Sequence, residues 1–182
     1  MNNNDRKQII TLCHSLAKRA GWWNYRPGED PLREKLLLIF TEIAEAEEVW
    51  GSDRPDEHLP KRICWEVEFA DIFIRTCDLL GYLGQKEAAP RKIASEVRFS
   101  QFYWQQNFLN LNRIVKNSVE AFRRQKFALA VDELFSLLFY IERWAREHPF
   151  QLKPIVLEKL EYNRTRADHK PENRQKAGGK KF

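Results

Sequence analysis

Apolar residues recur at Ile9, Leu12, Leu16 and Ala20, three and four apart, and predict a helix over residues 5–20 that Gly21 ends. An aromatic connection follows, from Trp22 to Gly28. Asp30 ahead of Pro31 is an N-cap with a first-turn proline, so a second helix should run to about Trp50. After the polar loop 51–59, Pro60 is the expected opening of a third helix ending near Gly81. Residues 85–92, with Pro90, read as a charged break. Two long stretches, 93–123 and 126–147, carry Phe99, Phe102, Phe108, Leu111, Leu134, Phe135, Leu138 and Ile141 at helical spacing. Pro149 separates them from a last helix over 151–165. No internal repeat and no alternating strand pattern interrupts the series, which predicts an all-α, antiparallel helical bundle.

Composition narrows this little. The chain has 182 residues, 43% hydrophobic and 31% charged, enough for one self-supporting domain over 1–166 with a tail at 167–182. The longest apolar run, Leu36 to Phe40, is far short of a membrane span, and the Asn-rich start lacks the order of a signal peptide, so the expectation is a cytoplasmic protein. Cys13, Cys64 and Cys77 are scattered without a CxxC and read as buried thiols rather than ligands. The net charge of +5 resides in residues 164–182, which hold seven basic and two acidic side chains; the rest is neutral. A neutral body is not the basic face that nucleic acid requires.

The carboxylates change the picture. Leu38, Glu42, Glu45 and Val49 share one stripe of the second helix, so two acids interrupt an apolar row. On the third helix, Glu68, Asp71, Arg75 and Asp78 fall within a wedge of about 80°, while nearly every other position is apolar. A helix apolar around most of its circumference is buried, and its charged wedge must face a partner, a metal or a wet cavity. Each helix thus presents an i, i+3 acidic pair, Glu42 with Glu45 and Glu68 with Asp71. Antiparallel packing would gather all four, an all-oxygen set suited to Mg²⁺ or Mn²⁺. The competing reading is a structural ion-pair network, with Arg75 beside Asp71.

On the last helix Leu152, Val156, Lys159, Asn163 and Arg166 form a stripe that turns from apolar to polar. Lys159 and Asn163, at i, i+4, can both reach an anion, with Arg166 a turn beyond. A cation opposite a carboxylate-held metal is what a polyphosphate needs. Other designs fail: no Glu precedes a His by three residues, as a di-iron bundle demands, and neither a glycine-rich phosphate loop nor a GxSxG elbow is present.

The segment Lys35-Leu36-Leu37-Leu38-Ile39-Phe40-Thr41-Glu42-Ile43-Ala44-Glu45-Ala46-Glu47-Glu48 resembles the first motif of the MazG-like, all-α nucleoside triphosphate pyrophosphohydrolases. Glu66-Val67-Glu68-Phe69-Ala70-Asp71-Ile72-Phe73-Ile74-Arg75 resembles the second, with 22 residues between Glu45 and Glu68. The stretch from Glu158 to Lys170 and the ending Gly178-Gly179-Lys180-Lys181-Phe182 resemble the C-terminal part of bacterial and phage members. The likeness covers residues 5–84 and 151–182. It implies hydrolysis between the α and β phosphates of a nucleotide, with Glu42, Glu45, Glu68 and Asp71 binding Mg²⁺. Glu45, with Glu42, would orient or deprotonate the attacking water. Lys35, Lys159, Tyr162, Asn163 and Arg166 would contact substrate, in a homodimer or homotetramer. The departure is residues 85–150, an added helical hairpin by this comparison.

Trp22 and Trp23 have two readings, stacking on a nucleobase or packing in the core. At the level of the whole chain, the alternative to the enzyme is a helical partner- or RNA-binding protein whose acids form a structural cluster.

Overall fold

The computed structural model describes residues 1–85, 99–100, 103–148 and 150–166. Among the described residues six helices follow one another: α1 (Asn3–Arg19), α2 (Pro31–Glu48), α3 (Cys64–Tyr82), α4 (Trp104–Arg123), α5 (Phe127–Glu147) and α6 (Leu152–Thr165). Among the described residues the only extended pairing is an isolated bridge between Pro55 and Ile63. The all-α expectation therefore holds. The break around Pro90, residues 93–98, Phe102, Pro149 and the tail from 167 lie outside the described residues.

Local chemistry sets the helix ends. Asn2 accepts the Asp5 N–H at 2.8 Å and opens α1, and Gly21 beyond its end takes φ +77°. Asp30 accepts the Arg33 N–H at 3.2 Å ahead of Pro31, as the sequence predicts for α2. The third helix begins at Cys64 instead of Pro60. Asp56 Oδ1 caps the N–H groups of His58 (2.9 Å) and Leu59 (2.7 Å), and the Asp56 and Cys64 N–H groups bond across the bridge to Arg62 and Arg54 carbonyls. These bonds hold Ile63 extended, so the helix cannot start earlier. Similarly α4 begins at Trp104 and not at 93: Asn107 accepts the Ser100 N–H through Oδ1 (2.9 Å) and donates from Nδ2 to the Ser100 carbonyl (2.6 Å), which fixes residues 99–100 outside the helix.

Helix α3 is the axis of the molecule, packing against α1, α2, α5 and α6. Its side chains explain why: Val67, Phe69, Ala70, Ile72, Phe73, Cys77, Leu79 and Leu80 are all fully inaccessible. The pairs Glu42–Arg75 and Trp50–Trp65 show that α2 runs antiparallel to α3. The pairs Trp65–Phe150 and Asp71–Lys159 show that α6 runs parallel to it. The α4–α5 hairpin is no appendage to the core. Phe108 and Trp144 meet Phe69 at ring distances of 6.0 and 4.6 Å, and all three are inaccessible within one apolar cluster. A buried two-bond pair, Arg6 on Glu142 at 2.8 and 3.0 Å, ties α5 to α1. Cys13, Cys64 and Cys77 are buried free thiols, as expected.

The α1–α3 crossing depends on Gly81. A Cβ there would stand 2.5 Å from His14 Cβ and 3.1 Å from the Ile10 carbonyl oxygen. Neither neighbour can retreat without moving a helix, so Gly81→Ala should destabilise the fold by about 1–3 kcal/mol. A urea or thermal midpoint unchanged from wild type would show that the two helices are not locked at this point.

Candidate metal centre

Helices α2 and α3 bring carboxylate oxygens of Glu42, Glu68 and Asp71 to within 4.8 Å of one another. The arc of α2 that faces the core is marked by Ile39, Ile43 and Ala46, all inaccessible. Glu42 falls at its edge and is 7% exposed. Glu45, three residues on, is turned about 60° further from that arc and is exposed to solvent. It lies close enough for its charge to act on both Glu42 and Glu68. Three of the four acids predicted as ligands thus form the cluster proper, and the fourth stands at its rim.

Two cations enter the cluster. Arg75 Nε donates to Glu42 Oε1 at 2.9 Å, and Lys159 Nζ, buried at 4% exposure, pairs with Asp71 Oδ2 at 2.8 Å. The structural pairing weighed against a metal is therefore real for two acids. Among the described residues no cation pairs with Glu68. Three carboxylates against two cations leave the cluster one positive charge short. The protonation equilibria carry the same imbalance. Burial first, then the charge of Asp71, pushes Glu42 up to about 7, against the opposing pull of Arg75. Burial, Asp71 and Glu42 push Glu68 up to about 8. Lys159 is raised as well: burial, the largest single influence, opposes its charge, but Asp71 together with Asp56 and Glu68 outweighs burial, and the ammonium is held more firmly than usual.

The rest of the α6 stripe divides in two. Lys159, Tyr162 and Arg166 face the loop before α3, where the His58 ring lies 4.9 Å from Tyr162 and the Arg166 guanidinium 5.5 Å above the Tyr162 ring. His58 is lowered from its ordinary pKa by burial and by the charges of Lys159 and Arg166, so it favours the neutral form. The sequence reading did not single out His58. Its only signal was its place in the polar loop, whose Asx turn fixes it beside Tyr162. Asn163 turns instead into a cavity of about 340 Å³ between α1, α3 and α6, which Trp22, Arg75 and Asp78 also line.

The aromatic connection is mostly packing. Lys35, 3% exposed, sits among the rings of Trp22, Trp23 and Tyr25 with its ammonium 5.0 Å from the Trp23 centroid and 3.8 Å from Glu34. Trp23 stacks on Tyr82 at 4.1 Å and donates Nε1–H to Asp78 at 2.8 Å, beside His14 at 2.9 Å. Of the three residues predicted here to meet substrate, Lys35 and Trp23 are held in this cage, and Trp22 alone lines the cavity. Comparison with family descriptions, curated proteins and solved structures finds no match to this chain.

The raised carboxyls give a signed prediction. Between the ordinary carboxyl pKa and about 8, the folded chain holds protons that the unfolded chain has released. Stability should therefore fall as pH rises from about 5 to about 8.5. Glu68→Gln, which removes the uncompensated charge, should flatten the dependence and exceed wild type at pH 8.5. A gain of about 2–4 °C in Tm is the scale that 1 kcal/mol gives at this length. Thermal melts of both proteins at pH 5.5, 7 and 8.5 check it; parallel pH profiles would refute the assignment.

Proposed function

We propose that the chain is a divalent-cation-dependent nucleoside triphosphate pyrophosphohydrolase, releasing pyrophosphate and a nucleoside monophosphate. The observation that carries the reading is the cluster one positive charge short, set into apolar helix surfaces. Glu42, Glu68 and Asp71 would hold Mg²⁺ or Mn²⁺, with Glu45 at the rim. Carboxylate oxygens this close, without a soft donor among them, suit a hard cation. When bound, such a cation supplies Lewis-acid polarisation of phosphate oxygens.

The chain's own groups do the rest. Arg75 fixes the Glu42 carboxylate by its Nε–H. Lys159 presents a buried ammonium at the edge of the cluster, where an entering phosphate oxygen can share it with Asp71. Arg166 extends the positive edge one turn further along α6, and neutral His58 stays available to hydrogen-bond. Glu45, exposed and three residues from Glu42, accepts the proton of the attacking water. One water is consumed: its oxygen ends on one of the two phosphoryl groups, the α–β anhydride bond breaks, and pyrophosphate leaves. The cavity beside Arg75 receives the nucleoside. Assembly as a homodimer or homotetramer belongs to the same proposal.

A second reading keeps the two ion pairs as architecture and makes the chain a non-enzymatic partner-binding protein. Incubating the protein with each NTP and dNTP plus Mg²⁺, and measuring pyrophosphate and orthophosphate separately, decides between them. Pyrophosphate with monophosphate is the expected result, reduced by about 10²–10⁴-fold in Glu45→Gln. No turnover, or orthophosphate alone, would overturn the hydrolase.

A further inference from the structure

We infer that Lys159 is a resident counter-ion of Asp71 that keeps a bare divalent cation out of the cluster, so that cation and polyphosphate enter together. This rests on the proposed hydrolase, because it describes how that same site is loaded.

The two cations of the cluster are held differently. Arg75 stands on α3 with Glu68 and Asp71, binds Glu42 through Nε at 2.9 Å and has a side chain 31% exposed. Water reaches it and weakens its field. Lys159 comes from α6, lies 2.8 Å from Asp71 Oδ2 and has a side chain only 5% exposed. The Asp71 side chain is itself 14% exposed. Water screens little between groups placed so deeply, and charge brought to Asp71 acts strongly on the ammonium.

Asp71 is one of the three carboxylates, with Glu42 and Glu68, that a divalent cation would draw on. That cation and the ammonium would then share one carboxylate and repel each other. The ammonium cannot simply leave, because burial without a carboxylate is costly. Nor can α6 carry it away: Leu152, Ile155, Val156 and Leu160 are buried in the common core. Asp56, whose Oδ1 is held by the N–H groups of His58 and Leu59, adds its attraction on Lys159 from the loop before α3. Glu45 and Arg166 stand nearer solvent and oppose each other in sign. A polyphosphate removes the conflict. Its oxygens give the ammonium a second acceptor, and its charge offsets that of the cation.

The test titrates bare Mn²⁺, and separately the Mn²⁺ complex of methylenediphosphonate, into wild type, Lys159→Met and Lys159→Arg by calorimetry. This probe does not hydrolyse and carries no base, so base preference does not enter. Wild type should prefer the complex to bare Mn²⁺ by about tenfold to a hundredfold, the usual range of coupling between two ligands. Lys159→Met should bind bare Mn²⁺ tighter than wild type by a similar factor and lose the preference. Lys159→Arg, which keeps the charge, should bind bare Mn²⁺ as weakly as wild type. Lys159→Met leaves Asp71 unpaired, so circular dichroism checks its fold. Wild type labelled with ¹⁵N at lysine supplies a measurement independent of any variant. The Nζ resonance of the buried ammonium should move on adding methylenediphosphonate with Mg²⁺ and stay in place with Mg²⁺ alone. Equal or weaker binding of bare Mn²⁺ by folded Lys159→Met, no preference for the complex in wild type, or a resonance moved by Mg²⁺ alone overturns the inference. Pyrophosphate release from triphosphates would then stand without it. Mn²⁺ bound by none of the proteins in either form overturns the inference and the metal centre together. The expected affinities without pyrophosphate from any triphosphate uphold the inference and overturn the hydrolase.

Discussion

Crowded negative charge on the most buried helix is the constraint to which the rest of this structure answers. Helix α3 must be apolar to serve as the axis for four neighbours, yet it carries Glu68, Asp71, Arg75 and Asp78 on one wedge. Each neighbour that covers the wedge has to bring chemistry for it. From α2 comes another acid, Glu42, which makes matters worse and draws Arg75 to it. From α6 comes Lys159 for Asp71, and from α1 and the aromatic connection come His14 and Trp23 for Asp78. Among the described residues Glu68 is left without a cation, and it shares with Glu42 the raised protonation that burial imposes. A core selected for stability alone would have replaced this wedge with hydrocarbon.

Much of this was legible beforehand because helical periodicity is a local signal. The i, i+3 acidic pairs, the apolar circumference of α3 and the Asp30-Pro31 start of α2 all follow from residues within one or two turns of each other. The errors arose where side chains bond across loops. Asp56 and Asn107 tie their own loops into non-helical shapes, and both displace helix starts that Pro60 and an unbroken apolar pattern seemed to set. No short-range rule ranks those bonds against propensity.

The site was half legible for the same reason. Stripe geometry placed Glu42 and Glu45 together, but whether each is buried depends on where α3 touches α2, and that contact separates an inner Glu42 from an outer Glu45. The destinations of Lys35 and Trp23 are set by Tyr25, Glu34, Asp78 and Tyr82, residues on three different elements. Their charge and aromaticity suited a ligand equally well on paper. His58 received no role from the sequence because its partner, Tyr162, is about a hundred residues away.

The parallel seat of α6 against α3 has a consequence for synthesis. Asp71 leaves the ribosome well before its counter-charge: 69 residues, 83–151, separate the end of α3 from the start of α6. At ordinary elongation rates that is a lag of roughly 3–14 s. During it α2 and α3 can pair, with Glu42 held by Arg75, but Asp71 has no Lys159, and the wedge faces water in place of a helix. The nascent hairpin is thus kept hydrated along this face until the last helix arrives, and the ammonium that closes the site is also the final fastening of the fold.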